Sequence, residues 1–287
     1  MTFTTLISAA VLRDLVDEPE IAIIDCRFDL MNPDGGRRAY LEGHIPGSRY
    51  ADLNRDLSAP ISATSGRHPL PSPDQFLAGL ARLGVGRATQ VIAYDDSAGA
   101  FAARLWWMLR WVGHPAAAVL DGGIKAWVNQ GGALQSGEEK PLPAAAGGPP
   151  LCAQADATAV IETAEIERRL SDPAFLLIDA RADERFAGTV EPIDAVAGHI
   201  KGAVNHPFSA NLGADGRFLP APVLRQAWER RLAGRSPTQV AAMCGSGVTA
   251  CHNLLSLEVA GLHGAKLYAG SWSEWIRDPR RPIAQGA

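Results

Sequence analysis

One pattern occurs twice in this chain, and it limits the folds open to it. The apolar run Ile21-Ala22-Ile23-Ile24, ending in Asp25-Cys26-Arg27, returns as Phe175-Leu176-Leu177-Ile178, ending in Asp179-Ala180-Arg181. Gly43-His44-Ile45-Pro46-Gly47 returns as Gly198-His199-Ile200-Lys201-Gly202. Gln90 to Tyr94 returns as Gln239 to Met243, and Leu120-Asp121-Gly122-Gly123 with Trp127 as Leu267-Tyr268-Ala269-Gly270 with Trp272 and Trp275. Agreement in order and spacing marks a duplicated fold. A chain of 287 residues is long enough for two such units, each with its own core. Short apolar runs alternate with longer segments of helical period. That alternation predicts parallel strands covered by helices on both faces. The expected class is α/β, with two tandem domains that each hold a mostly parallel sheet flanked by helices.

Local signals place the helices. Ser8 is a cap for a first helix carrying Val11, Leu12, Leu15 and Val16. Ser72-Pro73-Asp74-Gln75 has a capping-box pattern with proline at the first helical position, and Gly84 closes that helix. A further helix is expected from Gly99 to Val112. From Ala133 to Ala157, Pro141, Pro143, Gly147, Gly148, Pro149 and Pro150 replace any periodicity, as in a linker. The expected domains are 1–135 and 158–287, joined by a linker over 136–157.

Composition narrows the function. Hydrophobic residues make up 47% and charged residues 20%, with a net charge of -4 and no basic block, which argues against a nucleic-acid partner. No apolar run is long enough to span a bilayer, and no signal peptide is evident, so no membrane association is expected. Cys26, Cys152, Cys244 and Cys251 have neither disulfide-framework nor zinc-site spacing. Reduced thiols in a cytoplasmic setting, with no metal and no organic cofactor, are the expectation.

The candidate site is Cys244-Gly245-Ser246-Gly247-Val248-Thr249-Ala250, between the apolar run ending at Met243 and a helical run from Val248 to Ala260. The unpaired N–H groups at a helix start favour a thiolate there. Gly245 and Gly247 allow the loop to curl so that successive N–H groups form an anion-holding nest. Cys244 is therefore the expected nucleophile, Ser246 a hydrogen-bond donor to it or to the substrate, and Thr249 a helix cap. Where the second half has Cys244, the first has Asp95, so only one copy can carry thiol chemistry.

Taken together, these residues resemble the tandem-domain rhodaneses, the group that includes 3-mercaptopyruvate and thiosulfate sulfurtransferases. The marks are the Cys244 to Ala250 loop, both Gly-His-Ile segments, Asp179-Ala180-Arg181, Arg185-Phe186 with Gly188, and Gly270-Ser271-Trp272-Ser273-Glu274-Trp275. The resemblance implies an inactive first domain and a catalytic second one. It implies that Cys244 takes a sulfane sulfur from a small donor, holds it as a persulfide, and passes it to a thiol (thioredoxin or glutathione, for example) or to cyanide. A Cys-Gly-Ser-Gly-Val-Thr loop resembles the mercaptopyruvate enzymes, with thiosulfate as the alternative donor. A persulfide relay that docks a protein partner is a third reading. Phosphatases sharing this fold need an arginine where this chain has Ala250. The donor-binding set implied is Arg185, Gly245, Gly247, Val248 and Thr249. The mercaptopyruvate enzymes usually carry a second arginine after a Glu-Pro pair, but here the chain reads Glu191-Pro192-Ile193-Asp194. Arg217 is a candidate substitute. Asp52 and His68 match first-half polar groups that face the catalytic loop across the domain cleft.

Residues present in both copies are expected to hold the fold. These are His44 and His199, the pairs Asp25–Arg27 and Asp179–Arg181, and Trp272 and Trp275 with Trp127. Cys251 and His252, just after the loop, are expected to be packed.

Overall fold

A computed structural model describes residues 2–139, 151–152 and 154–286. Residues 140–150 and 153 of the expected linker lie outside the described residues. By contacts the chain forms two compact units.

The first unit comprises residues 1–59, 71–156 and 215–217. Its elements are β1 (Leu6–Ile7), α1 (Ala9–Arg13), β2 (Ile21–Asp25), α2 (Gly35–Glu42), β3 (Arg49–Tyr50), α3 (Pro73–Arg82), β4 (Gln90–Tyr94), α4 (Ala102–Trp111), β5 (Ala117–Leu120) and α5 (Gly123–Asn129). The strands form one parallel sheet in the order β1-β5-β4-β2-β3. Ile7, Ile23, Ile92, Tyr94, Ala118 and Leu120 point to one face and pack with Leu12 of α1 and with Ile124 and Trp127 of α5. On a sheet buried on both sides, the intervening residues must be apolar too. Ile24, Val91, Ala93 and Val119 are buried accordingly, and α4 packs against β4 and β5. The capping box forms as expected, with Ser72 Oγ accepting from the Gln75 amide and the Gln75 side chain accepting from the Ser72 amide. α1 is shorter than its periodicity predicts, and α4 begins at Ala102 rather than Gly99.

The second unit comprises residues 60–70, 157–214 and 218–287. Its elements are α6 (Thr163–Arg169), β6 (Leu176–Asp179), α7 (Asp183–Ala187), β7 (His199–Ile200), β8 (Val204–Asn205), α8 (Ala221–Leu232), β9 (Val240–Met243), α9 (Ala250–Val259), β10 (Lys266–Leu267), α10 (Ser271–Trp275) and β11 (Ile283–Ala284). The parallel order β10-β9-β6-β8 repeats the first sheet, and a parallel bridge from Val160 to Leu267 stands in for the edge strand β1. Register refines the repeat. Ala93 pairs with Val119, and its counterpart Ala242 pairs with Leu267. Leu120 therefore corresponds to Tyr268, one residue beyond the alignment read from sequence, and Gly123 corresponds to Ser271. Residues 60–70 fall inside the expected first domain by sequence but belong by contact to the second unit.

The repeated ion pairs and histidines hold each unit together. Arg27 grips Asp25 through Nε and Nη2 and also donates to the Gly43 carbonyl at 2.7 Å. Arg181 does the same with Asp179 and the Gly198 carbonyl at 2.8 Å. His44 Nδ1 lies 2.8 Å from the Tyr40 carbonyl oxygen, with its ring stacked on Tyr40. His199 Nδ1 lies 2.8 Å from that of Phe186, likewise stacked. Trp272 and Trp275 are fully buried in the second core. No helix among the described residues is long and apolar enough to cross a membrane.

Candidate active site

Cys244 follows β9, the second strand of the second sheet, and opens the loop that leads into α9. A parallel sheet delivers the carboxyl end of an inner strand to the rim where ligands bind in open α/β folds. The thiol residue is buried, as are Ser246 and Val248. Two neighbouring segments fix the loop. The Cys244 amide donates to Ser271 Oγ at 3.1 Å, and Ser271 Oγ donates to the Tyr268 carbonyl at 2.8 Å. The amides of Trp272 and Ser273 donate to the carbonyls of Cys244 and Gly245 at 3.0 and 2.9 Å. From the helix side, Cys251 Sγ donates to the Gly247 carbonyl at 3.4 Å.

The equivalent loop of the first unit shows what this backbone does to a negative charge. The Asp95 carboxylate accepts from the amides of Ser97, Gly99, Phe101 and Ala102, all at 2.8–2.9 Å. Burial raises the Asp95 pKa while those four amides pull it the other way. Ala98, at φ 57°, corresponds to Gly247, at φ 75°, so the two loops turn alike at that residue. Gly123 and Ser271 match too, at φ 58° and 53°. In the first unit the loop's amides close on an aspartate of the chain itself; in the second, the same position carries a thiol.

The two loop glycines serve different ends. Gly247 takes the left-handed conformation as expected, and a Cβ there would stand 2.5 Å from the Ala269 carbonyl oxygen. Gly245 does not take it. A Cβ on Gly245 would stand 2.9 Å from Arg67 Nη2 and 3.6 Å from Arg185 Nη2. The missing side chain makes room for guanidinium groups rather than for a turn. Thr249 also departs from expectation. It occupies the cap position of α9, but its side chain makes no capping bond.

Arg185, on α7, is held side-on by Glu191, with Nε–Oε2 at 3.2 Å and Nη2–Oε1 at 2.7 Å, and it reaches Asp194 Oδ2 at 3.2 Å. Burial pushes the Glu191 pKa up, but the bonds from Arg185 and from the amides of Asp194 and Ile193 outweigh it and leave a net fall. Asp194 is raised, chiefly by burial and also by the nearby Glu191 charge, against the opposing pull of Arg67, Arg185 and Arg181.

His68 joins the site. Its Nδ1 lies 2.7 Å from Ser246 Oγ, within the second unit. Asp52 belongs to the first unit and caps its own turn, Oδ1 accepting from the amides of Asn54 and Arg55. Arg217 belongs to the first unit. Its aliphatic stem lies against Gly122 in the first unit, and it faces Asp215 at 3.9 Å. His252 is packed between Phe218 and Phe208, as expected of a core residue. Sequence reasoning missed Arg67 and Ser271. Arg67 sits beside His68 but carried no motif, and Ser271 was hidden by the one-residue offset in the repeat.

Together these features define a duplicated α/β protein in which one loop presents a thiol and its twin a carboxylate. Rhodanese-like domains match residues 8–130 and 162–278, and the chain belongs to the rhodanese family, within its two-domain sulfurtransferase group. It is 49% identical over 288 residues to a "probable 3-mercaptopyruvate sulfurtransferase" of Pseudomonas aeruginosa, covering 100% of each chain. It is 33% identical over 277 residues to the thiosulfate sulfurtransferase of Rattus norvegicus, covering 93% of this chain and 90% of that one. Among solved structures it resembles the 3-mercaptopyruvate sulfurtransferase of Leishmania major, with a TM-score of 0.81 and 32% identity over 96% of this chain and 76% of that one.

Proposed function

We propose that this protein is a sulfurtransferase that takes sulfur from 3-mercaptopyruvate through a persulfide on Cys244. The observation that carries the reading is the pair of matching loops: four amides converge on the Asp95 carboxylate in one, and Cys244 holds the same position in the other. A nest that accommodates a carboxylate suits a thiolate, and equally the persulfide anion that replaces it.

The step balances without a cofactor. The Cys244 thiolate attacks the donor sulfur, the S–S bond forms, and the C–S bond breaks with its electron pair on carbon as the enolate of pyruvate. The donor's thiol proton passes to that carbon, leaving pyruvate and the Cys244 persulfide anion. Ser246, in contact with His68, supports the movement of that proton. In the second step an acceptor thiol passes its proton to the persulfide, and its thiolate attacks the outer sulfur, leaves as R–S–SH and restores the Cys244 thiolate. Thioredoxin, glutathione and cyanide are the acceptors by chemistry. A reducing cytoplasm suits a chain whose four cysteines all stand free of disulfides.

Gly245 and Ser246 put no cation on the loop itself, which favours a monocarboxylate donor over the thiosulfate dianion. The test incubates the protein with each donor and maps the Cys244 peptide by mass spectrometry, together with kcat/KM for both donors using cyanide as acceptor. A gain of about 32 Da, one sulfur atom, and a preference for mercaptopyruvate are expected. Absence of the adduct with both donors defeats the proposal, and a preference for thiosulfate reverses the donor assignment.

A further inference from the structure

Arg67 lies on the segment 60–70, which packs with the second unit, and three consecutive residues of that segment grip the cysteine-bearing loop and its brace. Gly66 approaches so closely that a Cβ there would stand 2.6 Å from the Gly270 carbonyl oxygen. The Arg67 amide donates to Ser273 Oγ at 3.0 Å, and the Ser273 amide in turn holds the Gly245 carbonyl. His68 meets Ser246 at 2.7 Å. So fixed, the Arg67 backbone directs its guanidinium to Asp194, whose Oδ1 accepts from Nη1 while Oδ2 accepts from Arg185 Nη2 at 3.2 Å.

One carboxylate thus tethers two arginines beside Gly245. An arginine has five N–H donors, and its Nε–Nη2 edge is the fork that takes a carboxylate side-on. Arg181 uses that edge on Asp179, and Arg185 uses it on Glu191. In Arg67 the edge is not spent on the chain. Nε is buried and has no hydrogen-bond partner among the described residues, and Nη2 points at the space left by the missing side chain of Gly245. A buried donor without an acceptor is costly, and an oxyanion seated on this edge supplies the acceptor.

We propose that Arg67 is a donor-binding and specificity-determining residue. In this reading its Nε–Nη2 edge receives the anionic group of the sulfur donor beside Gly245, with Asp194 and Arg185 fixing its direction. The assignment rests on the sulfurtransferase reading and deepens it: cationic recognition is supplied from a segment remote in sequence from the loop. Asp194 then acts as a positioning residue, and the absence of a Gly245 side chain is what keeps the edge open.

The test compares wild type with Arg67→Ala, Arg67→Lys and Gly245→Ala by three readouts. The first is steady-state kinetics with 3-mercaptopyruvate, the second is pyruvate binding by calorimetry, and the third is sulfur loading of Cys244 from an uncharged organic trisulfide. Expected for Arg67→Ala is a KM raised at least ~10-fold with kcat changed less than ~3-fold, and a pyruvate Kd raised in parallel. Loading from the trisulfide stays at the wild-type level, because that donor carries no anion. Arg67→Lys recovers part of the loss, since it keeps the charge and loses the fork. Gly245→Ala weakens pyruvate binding without loss of fold. An unchanged KM and pyruvate Kd in Arg67→Ala overturn the proposal, as does an equal loss of trisulfide loading, which would make Arg67 a prop for the loop. Wild-type protein that binds pyruvate through Arg67 yet accepts sulfur from no donor would instead defeat the sulfurtransferase reading and leave the anion site standing.

Discussion

Ser271 Oγ accepts the Cys244 amide at 3.1 Å from a backbone held at φ 53°, a conformation that costs a residue with a side chain and costs glycine little. The first unit has Gly123 at this position. The second unit accepts the strain because the hydroxyl ties two segments together, donating to the Tyr268 carbonyl while it accepts from Cys244. Ser271→Ala keeps the strain and loses both bonds, so we expect a loss of about 1–3 kcal/mol in urea unfolding together with a drop in kcat. Ser271→Gly loses the bonds and relieves the backbone, and should be the milder change in stability. Equal stability of Ser271→Ala and wild type would show that the hydroxyl contributes nothing to the fold.

Cys244 and Cys26 are both buried, but only one has a site built around it. Burial first, then the charges of Asp25, Asp95 and Asp56, push the Cys26 thiol well up. Cys244→Ser should abolish sulfur transfer and leave the circular dichroism spectrum unchanged, whereas Cys26→Ala should keep transfer within about 3-fold of wild type. Peptide mapping after mercaptopyruvate treatment should find the added sulfur on Cys244, with Cys26 unmodified even at pH 9.

The contact between His68 and Ser246 gives a prediction that separates proton movement from binding. Ser246→Ala and His68→Ala should each lower kcat by about 100-fold, the lower end of what a positioned acid–base group supplies. Their double variant should be little worse than either alone, because residues acting as a unit are not additive. A double-variant effect equal to the product of the two single effects would show that they act independently.

Two buried histidines set a pH dependence of stability. Burial lowers the pKa of His206, against its bond to Asn211 Oδ1 at 3.0 Å, and burial likewise lowers that of His114. The unfolded chain therefore binds protons at these sites at a pH where the folded protein does not, and stability falls as pH drops below about 6.5. Urea midpoints should decrease between about pH 7.5 and 5.5, and His206→Asn should show a smaller decrease across that interval. A variant whose midpoint falls as steeply as wild type would remove His206 from the effect.

Gly247 tests the loop's shape. A Cβ there would meet the Ala269 carbonyl oxygen at 2.5 Å at a φ of 75°, so Gly247→Ala should destabilise by more than about 1 kcal/mol and depress transfer. Gly245→Ala should spare stability by comparison, because the nearest atom is the end of a flexible arginine side chain.

Much of this protein is decided along the chain itself. Apolar runs of strand length ending in Asp25 and Asp179 read as buried strands, and their recurrence with both Gly-His-Ile segments predicts the two parallel sheets that form. The capping box at Ser72 and the place of Cys244 between strand and helix are local, because they depend on residues a few positions apart. Side-chain contacts over long sequence separations are not local, and only the tertiary structure settled them. It set Arg217 against Gly122 and shifted the repeat register by one residue, so that Ser271 became the brace of the thiol loop. It also brought Arg67 to Gly245 and His68 to Ser246. A guanidinium or imidazole finds its partner through packing of a whole segment, and nothing in the few residues on either side encodes where that segment docks.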